Sequence, residues 1–231
     1  MYWEFMQKRV ERAVLDSYKS MYRIVRIFVG NEKDAFDIVR DSVYKAVRST
    51  EKIKSQRYIR VWIYKILLEL SMDFLNKNQK EICFEELFDV YEWGIEGYHL
   101  DLDMKRAMGI LSDRERAVVI LHYFEGRRLE EIAMILNANM GTVQSLLYRS
   151  LDNLEIEMLE DRMEDVEKRL GEMKKNYEEM DISPDLKIRV DRSIKQAKAD
   201  AIRQQNTVSS FHIFKRVLNP YYNRKQGLRP F

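Results

Sequence analysis

An all-α fold is predicted by three features of this chain. Its three prolines, Pro184, Pro220 and Pro230, all fall in the last quarter of 231 residues, so the strongest helix breaker is absent from the first 183. Apolar residues recur three and four positions apart, the period of a helix face rather than of a strand. Residues 129–151 then carry the pattern of two short helices joined by a tight turn. The expected architecture is two small helical domains, 1–80 and 105–155, joined by an acidic linker, 81–104. A helical extension, 156–205, and a basic aromatic tail, 206–231, follow.

Residues 1–29 read as the first helix, stopped by Gly30-Asn31. Asp34 to Ser49 is the second, with Ala35, Ile38, Val39, Val43, Ala46 and Val47 as its buried stripe. Asp34, Asp37, Arg40, Asp41 and Lys45 lie on its other faces. Glu51 to Arg57 is a polar, basic loop. Tyr58 to Asn76 is the third helix, with Ile59, Ile63, Ile66, Leu67, Leu70 and Phe74 inward. Three helices of this length close a compact bundle.

The linker is rich in Glu and Asp with interspersed aromatics, and Gly94 and Gly97 break any long helix within it. Ser112-Asp-Arg-Glu115 is a capping box, with Ser112 as cap and Glu115 reaching back. Ala117, Val118, Ile120, Leu121 and Phe124 follow as a buried face, ended by Gly126. In the helix-turn-helix, Ile132, Ala133 and Leu136 pack one helix, and Val143, Leu146 and Leu147 pack the next. Asn139 is placed to cap the second helix. Thr142, Gln144, Ser145, Tyr148 and Arg149 are left to meet phosphates and base edges in a major groove. A helical hairpin within an ordinary core has the same bare pattern.

Beyond residue 155, Ile156, Leu159, Met163, Val166, Leu170, Met173, Tyr177 and Met180 alternate spacings of three and four. That is a seam seeking a partner helix. Gly171 inside it costs about 1 kcal/mol relative to Ala. Ser183-Pro184-Asp185 starts a further helix, expected to run to about Gln204, with Leu186, Val190, Ile194, Ala197 and Ala201 on one face.

Composition narrows the function. Charged residues make up 34% and hydrophobic ones 45%, which suits a soluble helical protein. Cys83 is the single cysteine, so a reducing, cytoplasmic setting is expected. The start, with Glu4, Lys8 and Arg9, is not a signal peptide, and no apolar run is long enough for a transmembrane segment. His99, His122 and His212 show no ligand spacing, so no metal is expected. No phosphate loop, catalytic carboxylate pair or nucleophile elbow is present, so neither a cofactor nor an enzymatic activity is expected. The net charge of +2 hides an asymmetry. Residues 156–180 carry a net of −4 and residues 181–231 a net of +7.

Asp34-Ala-Phe-Asp-Ile-Val-Arg-Asp-Ser-Val-Tyr-Lys-Ala46, Val61-Trp-Ile-Tyr-Lys-Ile66 and Asp73-Phe-Leu75 resemble the second conserved region of extracytoplasmic-function sigma factors. Leu111-Ser-Asp-Arg-Glu-Arg116 and the helix-turn-helix, with its Gly-Thr-Val-x-Ser core, resemble their fourth region. The resemblance implies a region-2-like bundle and a region-4-like helix-turn-helix. It implies two partners, core RNA polymerase and promoter DNA. The helix of Asp34, Asp37, Arg40 and Asp41 would dock on core polymerase, with Arg40 standing where the family usually has Gln. Lys54, Ser55, Gln56, Arg57, Tyr58, Trp62, Lys65 and Lys77 would hold the melted minus-ten strand. There Tyr58, Tyr64 and Trp62 are candidate base platforms, and Trp62 fits core packing equally well. Arg127, Arg128, Thr142, Gln144, Ser145, Tyr148 and Arg149 would meet the minus-thirty-five element.

Leu68 and Glu69 stand where many relatives have Arg and Asn, and Gln144 and Leu146 replace two basic residues. These departures keep two alternatives open: a degenerate sigma-like interaction protein, and a helix-turn-helix regulator independent of polymerase. A typical member would end near residue 155–160. Residues 161–203 resemble, over a short span, the cytoplasmic segment of membrane-anchored anti-sigma proteins: an acidic heptad helix, Pro184-Asp-Leu186 and a basic helix. The extension therefore either folds back as an intramolecular restraint, dimerises, or is loosely ordered. A separate anti-sigma protein is the other partner the resemblance implies.

Overall fold

The computed structural model describes residues 2–53, 55–78, 108–157 and 163–218, and every regular element among them is helical. The linker, Lys54, Cys83 and the end of the basic tail lie outside the described residues.

The first block is α1 (Tyr2–Val29), α2 (Glu32–Arg48) and α3 (Ile59–Asn78), each packed on the other two. Gly30 ends α1 with φ +78°, a left-handed conformation that glycine adopts without a Cβ penalty. Asn31 caps α2 by accepting the Asp34 amide at 2.9 Å. The expected stripe of α2 is buried, but so are Phe36 and Ser42 beside it. Two one-turn 3-10 helices, Thr50–Lys52 and Gln56–Tyr58, carry the chain from α2 to α3. Along α3 the expected inner residues Ile59, Ile63, Ile66 and Leu67 are buried, and so are Val61, Tyr64 and Leu68. Both α2 and α3 are thus covered on more of their circumference than one amphipathic stripe requires.

The second block begins at α4 (Asp113–Val119), whose capping box is formed as expected: the Glu115 amide donates to Ser112 Oγ, and the Ser112 amide donates to Glu115 Oε2 at 2.9 Å. The helix then widens into a π-turn, Ile120–Phe124, closed by the Glu125 amide on the Ile120 carbonyl at 3.0 Å. Gly126, at φ +61°, reverses the chain. α5 (Leu129–Ile135) and α6 (Met140–Glu157) follow, with Asn137 at φ +50° in the turn between them. Asn is among the few L residues that tolerate that conformation. Asn139 caps α6 as expected, its Oδ1 accepting the Thr142 amide at 2.7 Å. The second block packs on the first by seating α5 against α3.

The extension forms α7 (Met163–Glu179) and α8 (Asp185–Leu218). Val166, Leu170, Met173, Tyr177 and Met180 are buried, as are Leu186, Val190, Ile194, Ala197 and Ala201. The partner of the seam is the chain itself. α7 lies on the π-turn and α6, while α8 runs along α2 in one of the most extensive helix pairings of the fold. Each fully buried Val or Leu in these faces contributes roughly 1.5–3 kcal/mol. One expectation is corrected: α8 does not stop near Gln204 but continues to Leu218. Residues 205–218 contain neither Gly nor Pro, and Pro220 supplies the first strong stop.

Candidate functional site

On α2 the strip Asp34, Asp37, Arg40 and Asp41 is brought together at the surface. Asp34 is half-buried and tied to the cap, accepting from Asn31 Nδ2 at 2.7 Å. Arg40 forks between Asp37 at 2.8 Å and Asp41 at 3.0 Å, all three side chains about half exposed. Its bond to Asp41 raises the guanidinium pKa further, against partial burial. Arg40 therefore neutralises part of the acidic strip. Immediately beside the strip lies α8. Ser193 Oγ donates to the Arg40 carbonyl at 2.8 Å, and the Tyr44 hydroxyl donates to Asp200 at 3.0 Å. Arg48 donates to Gln204, and the Arg189 guanidinium stands 4.9 Å over the Phe36 ring. Phe36, outside the expected stripe, thus meets the extension.

The single-strand candidates divide. Ser55, Gln56, Arg57 and Tyr58 form the turn entering α3, with the Arg57 guanidinium 5.8 Å over the Tyr58 ring. Tyr58, Trp62, Lys65 and Glu69 follow one face of α3 at helical spacing. Trp62 is half-buried and its Nε1 is buried without a hydrogen-bond partner. Lys65 reaches Glu69 at 4.0 Å, and Glu69 also faces Lys45 at 3.6 Å. Lys77 is exposed but stands roughly 28 Å along the helix from Tyr58, by the 1.5 Å rise, so it does not join the cluster. Tyr64 is not a base platform: it is 1% exposed and its hydroxyl donates to Glu125 of the second block at 2.8 Å. Burial and the Glu125 charge push its pKa well up, so it stays a neutral donor. Leu68 is 2% exposed, on the same stripe as Val61 and Tyr64. An Arg in its place would be a charge in the core.

On α6, Gln144, Ser145, Tyr148 and Arg149 are exposed, with Thr142 half-buried at the capped end. Arg149 is paired with Glu115, Nε to Oε1 at 2.5 Å. Burial would raise the Glu115 carboxyl, but bonds from Ser112 and Arg149 outweigh it and hold the pKa low. Arg128 is exposed, its amide donating to Glu131. Arg127 is corrected: its guanidinium lies 5.0 Å over the Tyr64 ring and its Nη2 is 3.9 Å from Glu125, turned into the joint rather than toward solvent. Leu146 is 8% exposed, so the missing cation there is a core residue and not an unfilled DNA contact.

Sequence reasoning missed the joint itself. Glu125 accepts from Tyr64 and also from Tyr177 of α7, the latter at 2.6 Å. Tyr177 stacks on Phe124 at 5.2 Å, and Arg23 of α1 stands 5.7 Å over its ring. Arg116, buried, donates to the carbonyls of Met108 and Leu111 and lies 5.8 Å over Phe28 of α1. The one sequence signal was a tyrosine at a seam position otherwise filled by Val, Leu, Ile and Met.

The described residues contain no group of His, Cys, Asp and Glu able to hold a metal ion, and no described helix is long and apolar enough to cross a membrane. Residues 101–154 match the family model for sigma-70, region 4. The chain is 36% identical over 146 residues to RNA polymerase sigma factor SigV of Bacillus subtilis (strain 168), covering 63% of this chain and 88% of that one. It is 25% identical over 158 residues to the ECF RNA polymerase sigma factor SigW of the same organism, covering 61% and 84%. The sigma factor RpoE of Bartonella quintana, solved with the anti-sigma factor NepR, shares the fold with a TM-score of 0.52 at 23% identity, covering 65% of this chain and 97% of that one. With two separate helical modules in this order and a relative matched over most of its length, the chain belongs to the extracytoplasmic-function family of RNA polymerase sigma factors.

Proposed function

We propose that this chain binds core RNA polymerase through the α2 strip and directs it to promoters. The Ser55–Tyr58 turn and the outer face of α3 hold the melted minus-ten strand. Gln144, Ser145, Tyr148, Arg149 and Arg128 meet the minus-thirty-five duplex. It acts in the cytoplasm as a regulator of the polymerase, with no chemistry of its own. Its extension holds the unbound chain closed, α8 beside the polymerase strip and α7 against the second block. The observation that carries this reading is the seating of α8 along α2, where Ser193 and Asp200 bond to Arg40 and Tyr44.

The degenerate-sigma alternative loses its motive at Leu68 and Leu146, because packing accounts for both apolar side chains. Runoff transcription with core enzyme tests the reading. The full chain, or the chain ended after Glu157, is expected to make core initiate at a defined start. Failure of both to associate with core at low salt removes it. A product that depends on a resident sigma factor selects the polymerase-independent regulator instead.

A further inference from the structure

We propose that Glu125, Tyr64 and Tyr177 form one coupled latch, so that lifting the extension and parting the two sigma modules are a single event. The inference rests on the reading of the extension as a restraint. It adds that the restraint is not confined to covering α2.

Glu125 belongs to the second block, directly after the π-turn, and its side chain is 6% exposed. One carboxylate oxygen accepts from Tyr64 of the first block at 2.8 Å, the other from Tyr177 of the extension at 2.6 Å. Within its own block it has Arg127 at 3.9 Å, and that guanidinium is stacked on Tyr64. The two hydroxyl donors to this buried carboxylate therefore come from the two other parts of the chain. A buried carboxylate deprived of one donor bears an uncompensated desolvation cost. Each tyrosine consequently binds more firmly when the other is in place, which is a positive coupling between two interfaces.

Tyr177 is suited to transmit the release. Its ring packs on Phe124 of the second block, and Arg23 of the first block lies over it. Arg23 also donates to the Glu178 carbonyl at the end of α7. Withdrawing α7 removes contacts to both modules at once. α8, by contrast, grips the first block through α2 and α1. Only residues 180–184 join α7 to α8, so α8 does not lift far from α2 without drawing Tyr177 from the joint.

Distance measurement in the full chain tests this. In a Cys83→Ser background, spin labels are placed at Glu51→Cys and Glu130→Cys to report the two blocks. A second pair, Glu51→Cys and Lys195→Cys, reports α8. All three labelled positions are exposed. Each pair is expected to show one narrow distance in the parent chain, and Tyr177→Phe is expected to broaden both together. Tyr64→Phe is expected to raise the open fraction, by a factor roughly three- to thirty-fold smaller when Tyr177→Phe is already present. The latch is overturned if Tyr177→Phe moves neither pair, if α8 moves while the blocks keep their distance, or if the two tyrosine effects multiply independently. Adding core polymerase separates the two ideas: failure to displace the α8 label defeats the restraint, whereas the tyrosine cycle alone judges the latch.

Discussion

α2 and α6 both display a polar face of the composition a partner would read, and the fold treats them oppositely. Beside the strip of α2, the helix is covered by α8, which buries Phe36 and bonds to Tyr44 and to the Arg40 carbonyl. The proposed reading face of α6 stays open, with Tyr148 63% exposed. The turn into α3 and α3 itself show the same division: Tyr64 is buried and bonded to Glu125 of the second block, while Tyr58 is 39% exposed. Charge explains why the proposed duplex reader is left uncovered. The cation on its reading face, Arg149, is already paired with Glu115, and duplex affinity rises with each phosphate neutralised. Such a face has little grip until polymerase supplies the rest. The proposed restraint lies at the polymerase strip and the joint between modules.

The contrast breaks most severely at Ala197, which has no exposure at the α8 contact. Ala197→Arg is expected to cost the seating of α8 on the order of 3 kcal/mol. Amide exchange along α2 and α8 should then accelerate together; unaltered exchange would refute the covering role. Leu68→Arg comes next, placing a charge in the core at a cost of roughly 2–4 kcal/mol. It is expected to lower the melting temperature and increase runoff product with core. Glu69→Asn, removing only exposed pairs, should stay within about 0.5 kcal/mol.

Arg127 and Arg128 sharpen the comparison because they are adjacent in sequence and face different surroundings. Arg128→Ala should weaken duplex binding and reduce its salt slope by about one. Arg127→Ala should leave that slope alone and destabilise the joint by about 1 kcal/mol. At Glu115 the folded-state pKa is lowered, so its contribution is complete above the ordinary glutamate range and fades as pH falls through the folded value. The stability gap between the parent chain and Glu115→Gln should therefore close on acidification; a gap that persists in acid would contradict the pairing with Ser112 and Arg149. Gly171→Ala is the one substitution here expected to stabilise. An added Cβ there meets nothing within 4 Å, so α7 should gain about 1 kcal/mol in thermal unfolding.

Much of this architecture was readable because local rules set it. The stripe of α2, the caps at Ser112 and Asn139, and the faces Val166–Met180 and Leu186–Ala201 follow from helical period and capping chemistry. What stayed hidden depends on partners distant in sequence. Phe36 lay outside the expected stripe, and Leu68 stood where relatives carry Arg; burial accounts for both. Tyr64 carried the aromatic signature of a base platform, and Arg127 that of a phosphate contact, because residue type does not reveal which side of a helix meets another domain. Glu125 had no signal, since a single glutamate after a helix is ordinarily solvated. The widening of α4 into a π-turn, which positions it, also left no mark in the apolar pattern.

Equilibrium affinity for core RNA polymerase, compared between the full chain and the chain ended after Glu157 at fixed salt, tests the central claim most directly. The account predicts at least about tenfold tighter binding once α7 and α8 are gone, the equivalent of roughly 1.4 kcal/mol of restraint. Equal affinities for the two chains would contradict it.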